Sequence, residues 1–182
     1  MLTSKELECL AALVNCLIPA DALGPSASDA GVVTFIDQQL GGDYGAGKGT
    51  YLPANPDAGS VSEWAPRLFY RKGLAALDEV ANKFAGSDFA QLSEGDRHEL
   101  LTAIERKAVG HPWIALFLDQ VILNTMEGYF SDPLHGGNRN ADGWKMVGFP
   151  GCGHDYRNFV GKNLPVFKLV PVQTISDFKD RH

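Results

Sequence analysis

Apolar residues recur at intervals of three and four along much of the first 130 positions, the spacing that gathers one stripe of an α-helix into a core. The first run joins Leu7, Leu10, Ala11, Val14, Leu17 and Ile18. Thr3 and Glu6 stand at the spacing of a capping box, Leu2 and Leu7 at that of a hydrophobic staple, and Pro19 stops the run. A second, shorter helix is expected over Val32, Val33, Ile36 and Leu40, capped by Ser28 and ended by Gly41 and Gly42. A third opens at Pro66 and keeps period through Tyr70, Leu74, Leu77, Ala81 and Phe84 to Gly86. A fourth starts at Ser93 and Asp96 and places Leu100, Leu101, Ile104 and Ala108 inside before Gly110. The fifth, Pro112 to Phe130, is apolar nearly all round through Ile114, Leu116, Phe117, Val121, Ile122, Leu123 and Met126, which is the pattern of a core helix. The fold class expected is all-α, with about five helices around a central apolar helix (112–130), a long glycine-rich loop and an extended C-terminal arm.

On that central helix Gln120, Asn124 and Glu127 form a polar line at i, i+4 and i+7. Buried amides and carboxylates must be hydrogen-bonded, and the backbone of the loop that follows is the expected partner; catalysis by Glu127 is the alternative. From Gly128 the character changes. Seven of the chain's 20 glycines fall between Gly128 and Gly153, interleaved with Tyr129, Phe130, Trp144, Phe149 and Tyr156, so the backbone there is shaped by repeated close approaches. Leu164 to Phe178 alternates apolar and polar residues around Pro165 and Pro171, which excludes a helix and leaves apolar side chains in need of a partner. The organisation expected is a helical domain over 1–160 and an arm over 161–182 that belongs to the same domain and wraps a partner.

With 182 residues, 45% hydrophobic and 21% charged, the chain can bury a core without metals or disulfides. A net charge of −6 supplies no basic footprint for nucleic acid or anionic lipid. No apolar run reaches the roughly 20 residues of a membrane-spanning helix, and no signal peptide is read at the N-terminus. Residues 41–62 read as a long irregular loop in which Gly42, Gly47 and Lys48 nearly match a phosphate-binding loop. Gly49 stands where the hydroxyl should be, Thr50 comes one place late, and the preceding segment is helical, so nucleotide binding is not expected. Cys9 and Cys16 lie about 10 Å apart on one helix, too far to bridge each other. Three unbridged thiols, or one bridge from Cys152 to Cys9 or Cys16, are both compatible with the spacing. The five histidines show no metal-ligand spacing, and no nucleophile motif occurs. Asp132, His135, Asn138 and Arg139 are the densest polar cluster, suited to ordering the loop or meeting a partner, with chemistry as the alternative.

That cluster lies within Glu127-Gly-Tyr-Phe-Ser-Asp-Pro-Leu-His-Gly-Gly-Asn-Arg-Asn-Ala-Asp-Gly-Trp-Lys-Met-Val-Gly-Phe-Pro-Gly151, which closely resembles the signature of the gluconate 2-dehydrogenase small-subunit family, also called subunit 3 or the gamma subunit. The resemblance extends to Leu2-Thr-x-x-Glu6, Ile18-Pro-Ala-Asp21, Gly24-Pro25, Ala30-Gly31-Val32, Phe35-Ile-Asp37, Gln39-Leu-x-Gly and Tyr44-Gly45, and covers residues 2 to about 160. It implies a non-catalytic small subunit that stabilises a large glucose-methanol-choline (GMC)-type flavoprotein and assists its export. That partner would hold FAD and oxidise a sugar, sugar acid or polyol, commonly beside a cytochrome c subunit carrying haem c; no cofactor is expected in this chain. The family typically carries a twin-arginine signal. Met1 here stands directly before the first helix, so the expectation is a periplasmic protein whose signal is absent from this chain, or a cytoplasmic one if Met1 is the native start. The residues expected to meet the partner are Asp132, His135, Asn138, Arg139, Trp144, Phe149, Phe159, Phe167 and Leu169. The alternatives are a free-standing enzyme using Glu127, Asp132 and His135, or a general export chaperone.

Overall fold

The structure, a computed structural model, describes residues 1–48, 65–152 and 172–177, and all-α is the architecture found: six α-helices and no strand among the described residues. Helix α1 (Ser4–Leu17) begins with the expected capping box, the Thr3 hydroxyl accepting from Glu6 N and the Glu6 carboxylate accepting from Thr3 N at 2.6 Å. Leu2 is buried, and its N–H donates to Asp37 Oδ1 at 2.6 Å, which pins the start of α1 to α2 (Val32–Gly41). The inner face of α1 is Cys9, Leu10, Leu13 and Val14.

Ser28 does not cap α2. A turn over 27–31 precedes the helix, its hydroxyl goes to Ala11 O, and Gly31 takes the cap position at φ 87°. A Cβ on Gly31 would stand 2.6 Å from Gly136 O, so the approach of the glycine-rich loop forces glycine here. Arg67 closes the other end of α2, donating to Leu40 O at 2.7 Å and Gly41 O at 3.1 Å, the carbonyls a helix leaves unpaired.

Helix α3 (Pro66–Ala85) opens on its proline and ends at left-handed Gly86, burying Tyr70, Gly73, Leu74, Leu77 and Ala81; Phe84, expected inside, is exposed. Phe89, fully buried in a short 3-10 turn, donates its N–H to Asp78 Oδ1 and so ties that turn to α3. Helix α4 (Glu94–Glu105) is capped by Ser93 as expected and stops early, with Lys107 at φ 57°, which leaves Ala108 exposed.

Helix α5 (Pro112–Phe130) has the expected span and touches α1, α2, α3, α4 and the short α6 (Asp142–Met146). Its core face is Ile114, Phe117, Leu118, Val121 and Tyr129. It is not buried all round: Leu116 is 62% exposed, Leu123 54%, Met126 47% and Ile122 46%. Among the described residues the other helices cover one side of α5 and leave these four side chains exposed on the opposite side, a distinction that hydropathy alone cannot make. The expectation of about five helices agrees with the six found; the additional short one, α6, lies inside the glycine-rich segment.

Candidate functional site

Two places could serve function: the glycine-rich segment after α5, and the flank and outer face of α5 itself. In the first, side chains are spent on closing the end of the helix. Trp144 is buried and its indole N–H donates to Phe130 O at 2.7 Å. Asn138, fully buried in left-handed conformation, donates to Ser131 O and accepts from Gly143 N, both at 2.8 Å. These are the carbonyls and amides that a helix end and the tight turns after it would otherwise strand. Arg139 fastens the segment to the turn before α2, its backbone N–H donating to Ala30 O and its guanidinium to Asp29 O.

Asp132 is buried at the junction of three stretches. Its Oδ1 accepts from Leu134 N and its Oδ2 from Ile175 N, both at 2.9 Å, with the Cys152 thiol 3.6 Å from Oδ2. Gln173 and Gly151 pair as an isolated parallel bridge, so the described part of the terminal segment, 172–177, lies against the glycine-rich loop of its own chain. Burial, with Asp132 beside it, raises the Cys152 thiol above its ordinary range. All three cysteines are free thiols in the structure: Cys9 is buried, and Cys16 and Cys152 are half-buried.

Of the residues expected to meet a partner, Asp132, Asn138 and Trp144 are therefore turned inward, while His135, Arg139 and Phe149 are exposed, Phe149 resting edge-on against the Trp144 ring. Phe159, Phe167 and Leu169 lie outside the described residues. Glu127 belongs to a different neighbourhood from Asp132 and His135. Its Oε2 accepts from Asn124 Nδ2 at 2.7 Å, and Asn124 Oδ1 accepts from the Tyr70 hydroxyl at 2.7 Å and from Gln120 Nε2 at 3.0 Å. The polar line of α5 is thus satisfied by its own members and by Tyr70 of α3, with the Tyr44 phenol also beside Asn124, and among the described residues the backbone of the following loop makes no hydrogen bond to it. Burial pushes the Tyr70 phenol far up, so its hydroxyl stays protonated and donating.

That network forms one side of a cleft of about 190 Å³ between α2 and α5, lined by Phe35, Ile36, Leu40, Tyr44, Asn124 and Glu127. A shallower cleft of about 400 Å³ lies on α3 and the start of α5, at Phe69, Lys72, Glu79 and Trp113. The signal for the first cleft was present in the sequence as the line Gln120, Asn124 and Glu127. The exposure of Leu116, Ile122, Leu123 and Met126 had no local signal. Among the described residues no group of three or more His, Cys, Asp or Glu side chains could hold a metal ion, and no helix is long and apolar enough to cross a membrane.

No curated protein and no solved structure matches the chain at a significant level. A family model does, that of gluconate 2-dehydrogenase subunit 3, over residues 4–151. The matched stretch begins with α1, ends just after α6 at Gly151, and contains both clefts and the loop that closes α5. On that coverage the chain belongs to the gluconate 2-dehydrogenase subunit 3 family.

Proposed function

We propose that the chain is the non-catalytic small subunit of a periplasmic FAD-dependent dehydrogenase complex acting on a sugar, sugar acid or polyol. Its role is to stabilise a large GMC-type flavoprotein subunit and accompany its export, with a cytochrome c subunit as a further member of the complex. FAD belongs to the large subunit in this reading, and haem c to the third. The observation that carries it is the family match over residues 4–151, which takes in all six helices. The geometry supports it from another side. A free-standing enzyme built on Glu127, Asp132 and His135 would need these groups to converge. Instead the Glu127 carboxylate is engaged by Asn124 in the α2–α5 cleft, the Asp132 carboxylate is engaged by Leu134, Ile175 and Cys152, and His135 is exposed.

The test is co-expression with a tagged GMC-type flavoprotein subunit from the same organism. The expected result is that the two elute together at fixed stoichiometry, and that the flavoprotein's soluble, FAD-loaded yield falls when this chain is omitted. Dye-reducing dehydrogenase activity from the purified chain alone would overturn the reading, as would release of the flavoprotein once folded, which is the behaviour of a chaperone.

A further inference from the structure

We propose that the outward face of α5 is the seat of the large flavoprotein subunit, and that the cleft at its edge receives one cationic side chain of that subunit on the Glu127 carboxylate. The proposal rests on the subunit reading above. At about 100° per residue, Leu116, Leu123 and Met126 project within roughly 80° of one another, with Ile122 about 40° further round. All four are about half exposed or more, and they flank the exposed carboxylate of Asp119 along about three turns of the helix. Soluble surfaces carry isolated apolar side chains freely, but four large ones gathered on one helix face around a single carboxylate have the make-up of a contact site, apolar with a polar anchor.

Charge identifies the kind of partner. Helix α5 has no lysine or arginine, and its two carboxylates, Asp119 and Glu127, are both exposed. A second copy of this chain fits poorly. Isologous pairing would set the two Asp119 side chains, each near the middle of the face, toward one another with no cation of α5 between them. A surface that alternates apolar side chains with a lysine or arginine fits.

The cleft fixes where that cation goes. At about 190 Å³ it is smaller than the roughly 300–1,000 Å³ of pockets that bury a small-molecule ligand, and it matches one long side chain. Phe35, Ile36 and Leu40 form an apolar wall for an aliphatic stem. Glu127 Oε2 is already engaged by Asn124, which holds the carboxylate in place, while Oε1 accepts no bond among the described residues and is the acceptor for a charge-assisted bond. The neighbouring hydroxyl of Tyr70 and amide of Gln120 are both committed to Asn124, and the Tyr44 phenol on the cleft wall stands beside Asn124 and Glu127.

The experiment is co-purification of the full chain with the tagged flavoprotein subunit, comparing wild type, Leu123→Glu, Glu127→Gln, and Val147→Glu as an exposed control in the glycine-rich segment. All variants must first match wild type in thermal unfolding, as expected for exposed positions. Leu123→Glu should lower the recovered complex by about tenfold or more. Glu127→Gln keeps an oxygen for Asn124 but loses the charge; it should weaken the complex several-fold and flatten its dependence on salt. Val147→Glu should bind as wild type does. If wild type binds and Leu123→Glu binds equally well, the docking face is wrong while the subunit reading stands. If wild type itself is not retained, the subunit reading falls and the docking face with it. If the chain alone sediments as a dimer that Leu123→Glu dissolves, the face belongs to a second copy and the proposal is overturned.

Discussion

Replacing Phe117 by alanine, and separately its neighbour Leu116, puts numbers on the two faces of α5. Phe117 is fully buried, its ring 5.5 Å from Tyr70 at 85° and 5.9 Å from Phe69 at 76°. It also lies flat against Gly73, where a Cβ would fall 2.3 Å from its Cδ2, so α3 and α5 have closed around the ring. Truncating such a phenylalanine costs about 3–5 kcal/mol, lost transfer energy plus the cavity left behind. The two edge-on aromatic pairs, each worth ~0.5–1.5 kcal/mol, place Phe117→Ala in the upper half of that range. Leu116 is 62% exposed, so it realises only a minor fraction of the ~1.5–3 kcal/mol that full burial would give. Alanine's better helix propensity returns a few tenths, leaving Leu116→Ala within about 0.5 kcal/mol of wild type. In a chain of this size 1 kcal/mol shifts the melting temperature by roughly 2–4 °C. Thermal and urea unfolding should therefore show a fall of about 10 °C or more for Phe117→Ala and about 2 °C or less for Leu116→Ala. Comparable losses at the two positions would mean that α5 is enclosed on all sides and that its outer stripe is not available to a partner.

Two other outcomes are open to measurement. Asn138→Ala removes one bond to Ser131 O and one from Gly143 N and puts a residue without a local hydrogen-bonding side chain at φ 45°; a loss of about 2–3 kcal/mol in urea unfolding is expected, and a loss under about 0.5 kcal/mol would show that Trp144 alone closes α5. Burial raises the thiols of Cys9, Cys16 and Cys152, so above about pH 8.5 the unfolded chain gives up protons that the fold retains. Stability should be flat in this respect below that pH and fall between about pH 8.5 and 10, less steeply in Cys9→Ala, and Cys9 should be the slowest of the three to react with iodoacetamide; a stability that rises over the same interval is incompatible with thiols raised in the fold.

Features that depend on residues within a turn or two of one another are legible in the chain. Thr3 and Glu6 start α1, Pro66 and Gly86 bound α3, Ser93 caps α4, and Pro112 to Phe130 is one helix, because caps, prolines and left-handed glycines act over three or four positions. The family signature is likewise a property of the chain order. Features that were not legible there involve partners far apart in sequence. Gly31 displaces Ser28 from the cap of α2 because Gly136, over 100 residues on, lies against it. Asn124 is satisfied by Tyr70, 54 positions away, so the polar line on α5 looks inward to α3 and outward to a cleft. Trp144 and Asn138 have the chemistry of interface residues, yet the end of α5 consumes both. Leu116 and Phe117 read alike in hydropathy, and the difference between a bare and a buried position is set by which sides of α5 the remaining helices reach. Helix periodicity records how much of a helix is apolar; only packing shows which part of it the other helices cover.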